Sequence, residues 1–382
     1  MGKPAAGSPG TMNSLRVLLV TPRYLPTVGG IQNHVYQVAR RFTQRGVNTT
    51  VLTTNPGGQP PVEENSEGLK IRRVSAWPRR RDYYLAPAIY RIIKDGQWDI
   101  VHVQSYHTLV APLAMLAARR ANIPYVITFH GGGHSSRLRN GLRRGQRLLL
   151  RPLLAQADRL IATAEFEISF FGKQLWLPED HFALIPNGAD LSETIPPTLA
   201  AVDEGLIVSI GRLERYKGHH RVIQALPKVL EQQPEARLWI IGAGPYEPSL
   251  WKLAHRLNVA ERAEIRALPI TNRGGIASEL SRAALVVLLS EYETQPMAVL
   301  EALALGRPVL VADNSGLREL AQRNLAQAIP LNSTPEQVAA AILGQLSQPQ
   351  APPGIDLPTW DACAADLLAL YLEVIRRRAC AY

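Results

Sequence analysis

The sequence is poor in cysteine: 382 residues hold two, Cys363 and Cys380, both near the end. Two thiols exclude a disulfide scaffold and a four-cysteine zinc site, and they suit a reducing cytoplasm. Long hydrophobic runs are also missing. No apolar stretch reaches the ~18–20 residues a bilayer crossing requires; the longest, 101–116 and 148–154, are broken by His, Gln, Pro or Arg. The first eleven residues are rich in Gly, Pro and Ala and lack the apolar segment of a secretory signal. Residues 1–12 therefore read as a flexible leader. No full Gly-x-Gly-x-x-Gly opens either half, which weakens a dehydrogenase reading. Aromatics make up only 6% and no nucleic-acid-binding motif appears, so a nucleic-acid partner is not expected despite a net charge of +10.

What is present suits two α/β domains, each large enough to bury its own core. Hydrophobic content is 46% and charged content 19%, ordinary for a globular chain. Charge is uneven. Residues 1–195 carry 24 Lys+Arg against 13 Asp+Glu, whereas 196–382 carry 18 against 19. A one-sided basic field attracts nucleic acid, anionic lipid or phosphorylated substrate, and composition alone does not choose among them.

The pattern predicts strand, loop and helix in alternation. Strands are expected at 15–21, 47–53, 69–74, 99–104, 124–129 and 159–163, with helices at 31–45, 107–120 and 138–156. The rhythm stops at 191–204, where Pro196 and Pro197 mark a linker. It restarts with strands at 206–210, 237–241, 263–268, 284–290 and 308–312, and helices at 219–232, 248–258, 271–282, 297–305 and 334–346. A Pro-rich loop then leads to a final amphipathic helix at 360–377. Strands without polar alternation, separated by helices, imply parallel sheets covered on both faces. The expected domains are 13–195 and 205–350, joined by 196–204, with 351–382 forming the Pro-rich loop and the terminal helix.

In doubly wound sheets, ligands bind at loops beyond the carboxyl ends of strands. After the first strand come Gly29 and Gly30, then a helix; this is either a tight turn or a place where backbone approaches a ligand. His130 follows another strand and precedes three glycines, which argues for a crevice rather than a core. His102 and His107, by contrast, read as structural histidines. In the second half Gly211-Arg212-Leu213-Glu214-Arg215-Tyr216-Lys217-Gly218 follows a strand and leads into a helix. A planar fork and a point charge near helix N–H groups suit a diphosphate, although a charged loop alone is often just solvated. Gly242 and Gly244 form another close-approach loop. Glu293 ends the loop after 284–290, and Glu301 lies eight residues later on an apolar helix. A carboxylate hemmed in by core needs partners, and sugar hydroxyls or a salt bridge would serve.

Taken in order, these stretches resemble the retaining nucleotide-sugar glycosyltransferases of the GT-B fold, in the large GT4 family. The resemblance runs from Leu15 to the final helix. It rests most on the Gly-Arg-x5-Gly stretch with Lys217 and on the Glu-x7-Glu pair Glu293 and Glu301. It implies two Rossmann-like doubly wound parallel-sheet domains with a cleft between them, the terminal helix crossing back to the first. It also implies a nucleotide-diphosphate sugar as co-substrate and retention of anomeric configuration. Arg212 and Lys217 would hold the diphosphate, Glu293 the donor-sugar hydroxyls, and Glu301 the ribose. His130 would sit beside the reacting sugar. Gly29, Gly30, Asn187, Asp190, Gly242, Gly244, Leu268, Thr294, Pro296 and Met297 would complete the donor surroundings, with Leu268 near the base. One departure stands out: where the family often carries Gly-Phe-Gly, this chain has Thr294-Gln295-Pro296. Thr294 is expected to cap the following helix and Pro296 to start it. No Asp-x-Asp occurs, so neither a metal nor another cofactor is expected.

Arg137, Arg139, Arg143, Arg144, Arg147 and Arg151 fall in one leucine-rich helical segment. This suits an interfacial helix on an anionic membrane, or equally a solvated surface helix with a packed underside. The expected acceptor is a glycan or lipid-linked sugar. The expected location is cytoplasmic, with peripheral contact at the inner face of the cell membrane. The alternatives are another nucleotide-sugar enzyme of this fold, such as an epimerase, a sugar-nucleotide binder without catalysis, and a basic nucleic-acid or anionic-surface binder.

Overall fold

The computed structural model describes residues 14–27, 29–55, 62–66, 68–78, 84–131, 137–189, 201–268, 273–350 and 357–380, with backbone only at 66, 137–144 and 273. The first lobe runs β1 (Arg16–Thr21), α1 (Gly30–Gln44), β2 (Asn48–Asn55), β3 (Val62–Ser66), β4 (Leu69–Ser75) and α2 (Ala88–Asp95). It continues β5 (Ile100–Gln104), α3 (Val110–Arg120), β6 (Tyr125–Thr128), α4 (Arg137–Leu154), β7 (Arg159–Ala162), α5 (Glu165–Leu175) and β8 (Phe182–Leu184). Its eight strands lie in the order β3-β4-β2-β1-β5-β6-β7-β8. Adjacent residues of β1 feed different cores: Leu18 and Val20 pack on one face, Val17 and Leu19 on the other. Burial on both faces is why the run shows no alternation.

The second lobe runs β9 (Asp203–Ile210), α6 (His219–Gln232), β10 (Arg237–Ile241), α7 (Glu247–Arg256), β11 (Ala263–Arg266), α8 (Arg273–Arg282) and β12 (Ala283–Leu288). It ends α9 (Met297–Ala304), β13 (Val309–Ala312), α10 (Ser315–Gln322), β14 (Gln327–Ile329) and α11 (Pro335–Ser347). The sheet order is β11-β10-β9-β12-β13-β14, parallel throughout. Two doubly wound α/β lobes therefore face each other, as the resemblance implies.

The structure differs from the sequence reading in three respects. β3 is antiparallel to β4, an edge hairpin in which Glu63 pairs with Arg72 directly opposite and Glu64 pairs diagonally with Arg73; its polar run gave no strand signal. β9 begins at Asp203, so 203–204 belong to the sheet rather than to the linker. The short α2, α5, β8, α10 and β14 were not anticipated either.

α12 (Trp360–Cys380) packs on α1 and joins the core of the first lobe. Trp360, Cys363, Ala364, Leu367, Leu368, Tyr371 and Val374 form its buried stripe. Arg378 grips Asp158 through two bonds of 2.7 and 3.0 Å, and Arg41 meets Asp361 at 3.1 Å. Among the described residues no helix is long and apolar enough to cross a membrane.

Candidate active site

In the second lobe, the loop after β9 is held by packing. Leu213 is fully buried and its N–H donates to the Ala243 carbonyl at 3.0 Å. A Cβ at Gly242 would lie 1.9 Å from the Gly211 carbonyl oxygen, and one at Gly244 2.4 Å from that of Leu213. Contact between the two loops by itself demands glycine at both positions. Gly218, at φ +78°, sits 2.0 Å (from an added Cβ) under the Leu289 carbonyl and starts α6.

That loop ends in Lys217, whose Nζ donates to Glu293 Oε1 at 2.6 Å. Ser290 Oγ donates to the same oxygen at 2.7 Å. Both bonds fall on Oε1, which leaves the second carboxylate oxygen able to accept a hydroxyl. The Glu293 backbone is fixed as well. Its N–H donates to Ser315 Oγ at 2.9 Å, and its carbonyl accepts from Gly316 N at 2.9 Å. A Cβ at Gly316 would lie 1.8 Å from the Thr294 carbonyl oxygen, so only glycine fits there. Arg212 stands further out, its side chain 64% exposed, donating to the Tyr216 hydroxyl at 2.8 Å. Glu301 is buried on α9. Leu268 is partly buried on the second core, and Met297 packs against the cores of both lobes.

The first lobe supplies neutral groups. His130 has φ +43°, unusual for a residue with a Cβ, and donates Nε2–H to Gln104 Oε1 at 2.6 Å. Burial, reinforced by His34, His102 and His107, pushes its imidazole well below the ordinary range. His102 is fully buried between Thr128 and the Tyr371 hydroxyl, a structural histidine as read. Gly29 is extended and a Cβ there would meet only the flexible end of Gln32, while one at Gly30 would meet nothing within 4 Å. Local packing thus makes no demand for glycine at Gly30. Asp190 lies outside the described residues.

The lobes meet where these halves converge. Thr294 Oγ1 donates across to the Gly131 carbonyl at 3.1 Å. This corrects the expectation that Thr294 caps α9: the helix has Pro296 at its N-cap position and no side-chain cap. Gly131 has no room for a side chain, because a Cβ would lie 2.9 Å from the Tyr292 hydroxyl and 3.0 Å from Glu167 Oε1. Asn187 N–H donates to Gln295 Oε1 at 2.6 Å, and Gln295 Nε2 donates to the Asn187 carbonyl at 2.8 Å. Phe166 N–H donates to Glu319 Oε1 at 2.6 Å.

With this geometry in view, residues 28–193 match the family described as Glycosyltransferase Family 4, and residues 192–352 match Glycosyl transferases group 1. The chain belongs to glycosyltransferase family 4. It is 28% identical to a D-inositol 3-phosphate glycosyltransferase of Nocardiopsis dassonvillei, over 92% of this chain and 91% of the relative. It is also 28% identical to a glycogen synthase of Mycobacterium tuberculosis, over 80% of each. Among solved structures, sucrose-phosphate synthase of Thermosynechococcus elongatus shares the GT-B fold with a TM-score of 0.77 at 20% identity, covering 95% of this chain and 100% of that one. HepE of Anabaena, solved with UDP-glucose, gives a TM-score of 0.69 at 15% identity, covering 96% and 100%.

In this family 4 glycosyltransferase, two of the six arginines read as membrane-facing turn inward. Arg147 is buried, donating to the Tyr106 hydroxyl at 3.3 Å with its guanidinium 5.6 Å from the Phe170 ring centre. Arg151 donates to the Leu175 carbonyl at 2.7 Å, at the C-terminal end of α5, where a cation complements the helix dipole. The periodicity was right, but the underside of α4 carries arginine as well as leucine. The side chains of Arg137, Arg139, Arg143 and Arg144 lie outside the described residues.

Glu167 was missed. It is a fully buried carboxylate accepting from Thr163 N, Thr163 Oγ1 and Gly131 N at 2.8, 3.0 and 3.3 Å. Burial pushes its pKa up to about 7 against the pull of those donors. An acidic residue inside the aromatic run Phe166-Glu167-Ile168-Ser169-Phe170-Phe171 was the available signal. Gln295 was passed over as part of a family departure, and His34 as an ordinary helix position.

Proposed function

We propose that this enzyme transfers a sugar from a nucleotide-diphosphate donor to a glycan or lipid-linked acceptor, with retention of configuration and without a metal. The observation that carries the reading is the pairing of Lys217 with Glu293 beside the junction where Thr294 meets Gly131. Glu293 adjoins Thr294 in the chain and Lys217 is bonded to Glu293, so a cation for a diphosphate and a carboxylate for sugar hydroxyls flank the contact with His130's neighbour.

The chemical demand is the charge that builds on the departing nucleoside diphosphate. Lys217, Arg212 and the N-terminus of α6 offset it without solvent reorganisation. Lys217 exchanges part of its contact with Glu293 for phosphate, and Glu293 then offers acceptors to the sugar. Neutral His130, with Nε2–H committed to Gln104, leaves Nδ1 as its acceptor. Closure of the lobes excludes water and limits donor hydrolysis. An acceptor proton passes to the departing phosphate oxygen on the face where the leaving group sits. The names of the relatives, an inositol-phosphate glycosyltransferase and a glycogen synthase, support a hydroxyl acceptor.

The membrane part of this reading now rests on Arg137, Arg139, Arg143 and Arg144 alone, at the inner face of the cell membrane. In the same lobe, Leu149 and Trp176 are 81% and 67% exposed. Incubating the protein with a panel of labelled nucleotide sugars, together with glycan and lipid-linked sugar acceptors, tests the reaction. Release of nucleoside diphosphate together with a glycoside of unchanged anomeric configuration is the expected product; an epimerised nucleotide sugar would replace this reading by its alternative.

A further inference from the structure

The stretch Thr294-Gln295-Pro296, which departs from the family's usual glycines, makes a contact that glycine and phenylalanine side chains are unable to make. Gln295 uses both ends of its amide on the backbone of one residue, accepting from Asn187 N at 2.6 Å and donating to Asn187 O at 2.8 Å. The pairing has the reciprocal form of a sheet ladder. Asparagine carries the same two groups but is one methylene shorter.

Asn187 passes the constraint onward. Its Oδ1 lies 2.6 Å from His34 Nδ1. His34 is 2% exposed, and its ring meets that of His130 edge-on with centres 4.8 Å apart. Trp360 closes the other side, edge-on at 5.9 Å. The turn has no room to slide, because a Cβ at Gly188 would lie 2.2 Å from Trp360 N. Four residues therefore form a continuous path from the loop bearing Glu293 to the ring beside the expected sugar.

We propose that Gln295 is a positioning residue, which through Asn187 and His34 sets the His130 ring relative to Glu293 when the lobes meet. This rests on the sugar-transfer reading of the same site. With Asn187 Oδ1 as acceptor, His34 carries its proton on Nδ1, and its buried Nε2 has no hydrogen-bond partner among the described residues. Burial pushes the His34 imidazole down to about 4, so the ring is neutral near pH 7 and has a tautomer that a change at Asn187 alters.

The test uses the full chain, labelled with 15N histidine, in three forms: wild type, Gln295→Met and Gln295→Glu. Methionine keeps the volume and loses both bonds; glutamate keeps the length and loses the donor. The expected result is a move of the His34 ring signals away from the Nδ1–H pattern in both variants, although the two bonds altered are to the Asn187 backbone. With the best nucleotide sugar of the panel, turnover is expected to fall roughly 10- to 100-fold, as for an ångström-scale misplacement. The donor KM should stay within about twofold, because donor binding belongs to Lys217 and Arg212. Unchanged His34 signals in both variants would overturn the proposal, and so would altered signals with unchanged turnover. If the wild type turns over no nucleotide sugar, the reaction reading fails, and the tautomer result alone then decides whether the path exists.

Discussion

The two lobes contribute to one cleft in different currencies. The second lobe contributes charge: Lys217 and Glu293 in contact, Arg212 nearer the surface, Glu301 buried on α9. The first contributes neutral, tightly buttressed groups: His130 held by Gln104, Gly131 hemmed in by Glu167, Asn187 shared with His34. A phosphate-rich donor demands full charges, whose strength grows as water leaves. An acceptor hydroxyl demands orientation, which neutral groups fixed by packing supply at lower desolvation cost. Under the proposed function, division of labour between the lobes is a division between electrostatic and geometric control.

Removing the charged half should have the largest effect. Lys217→Ala is expected to lower kcat/KM for the nucleotide sugar by roughly 10²- to 10³-fold, comparable to losing one preorganised donor to a developing oxyanion. A lesser loss than for Arg212→Ala would invert the proposed order, since Arg212 is the more exposed of the two. Next comes the strap that joins the lobes. Leu367→Ala, in the buried stripe of α12, should cost about 2–5 kcal/mol in denaturant unfolding; a cost near zero would show that α12 does not support the first lobe.

Glu167 gives a third effect, of pH. Its pKa is raised in the folded chain to about 7 from 4.5, so the folded state binds more protons in that interval. The associated stability is complete below about 4.5 and is lost as pH rises through about 7. Glu167→Gln removes the dependence, so the variant should gain on the order of 2–3 kcal/mol over wild type between those limits. The buried histidines act oppositely. His34 and His219 are lowered to about 4, and their contribution is lost as pH falls from 6.5 through that value. The difference between variant and wild type isolates Glu167. A flat difference across the window contradicts its burial as a titrating acid.

The smallest expected effect is on membranes. Arg147→Gln and Arg151→Gln should leave binding to vesicles of mixed anionic and neutral phospholipid unchanged, because both guanidinium groups are already held within the lobe, by the Tyr106 hydroxyl and the Leu175 carbonyl. Reduced vesicle binding by a folded double variant would restore them to the outer face.

Much of the fold was legible because its central strands are apolar on both faces. β1, β10 and α6 stand within a residue of the expected bounds. The edges were not legible. β3 is Val-Glu-Glu-Asn-Ser, stabilised by cross-strand arginines that only pairing brings near. The charged part of the site was legible from local spacing, since Arg212, Lys217 and the two glutamates lie on single loops or helices. The neutral part was not. Gln295 meets Asn187 across 108 positions, and Thr294 meets Gly131 across 163. Thr294 was read by the local rule for helix starts, and a partner on the other lobe took its hydroxyl instead.

The most direct measurement compares wild type with the Arg212→Ala/Lys217→Ala double variant, using a donor labelled with 13C at the anomeric carbon and following both product configuration and nucleotide release. The account predicts a glycoside of unchanged configuration from the wild type and release reduced at least about 10²-fold in the variant. Release by the variant at the wild-type rate would contradict it.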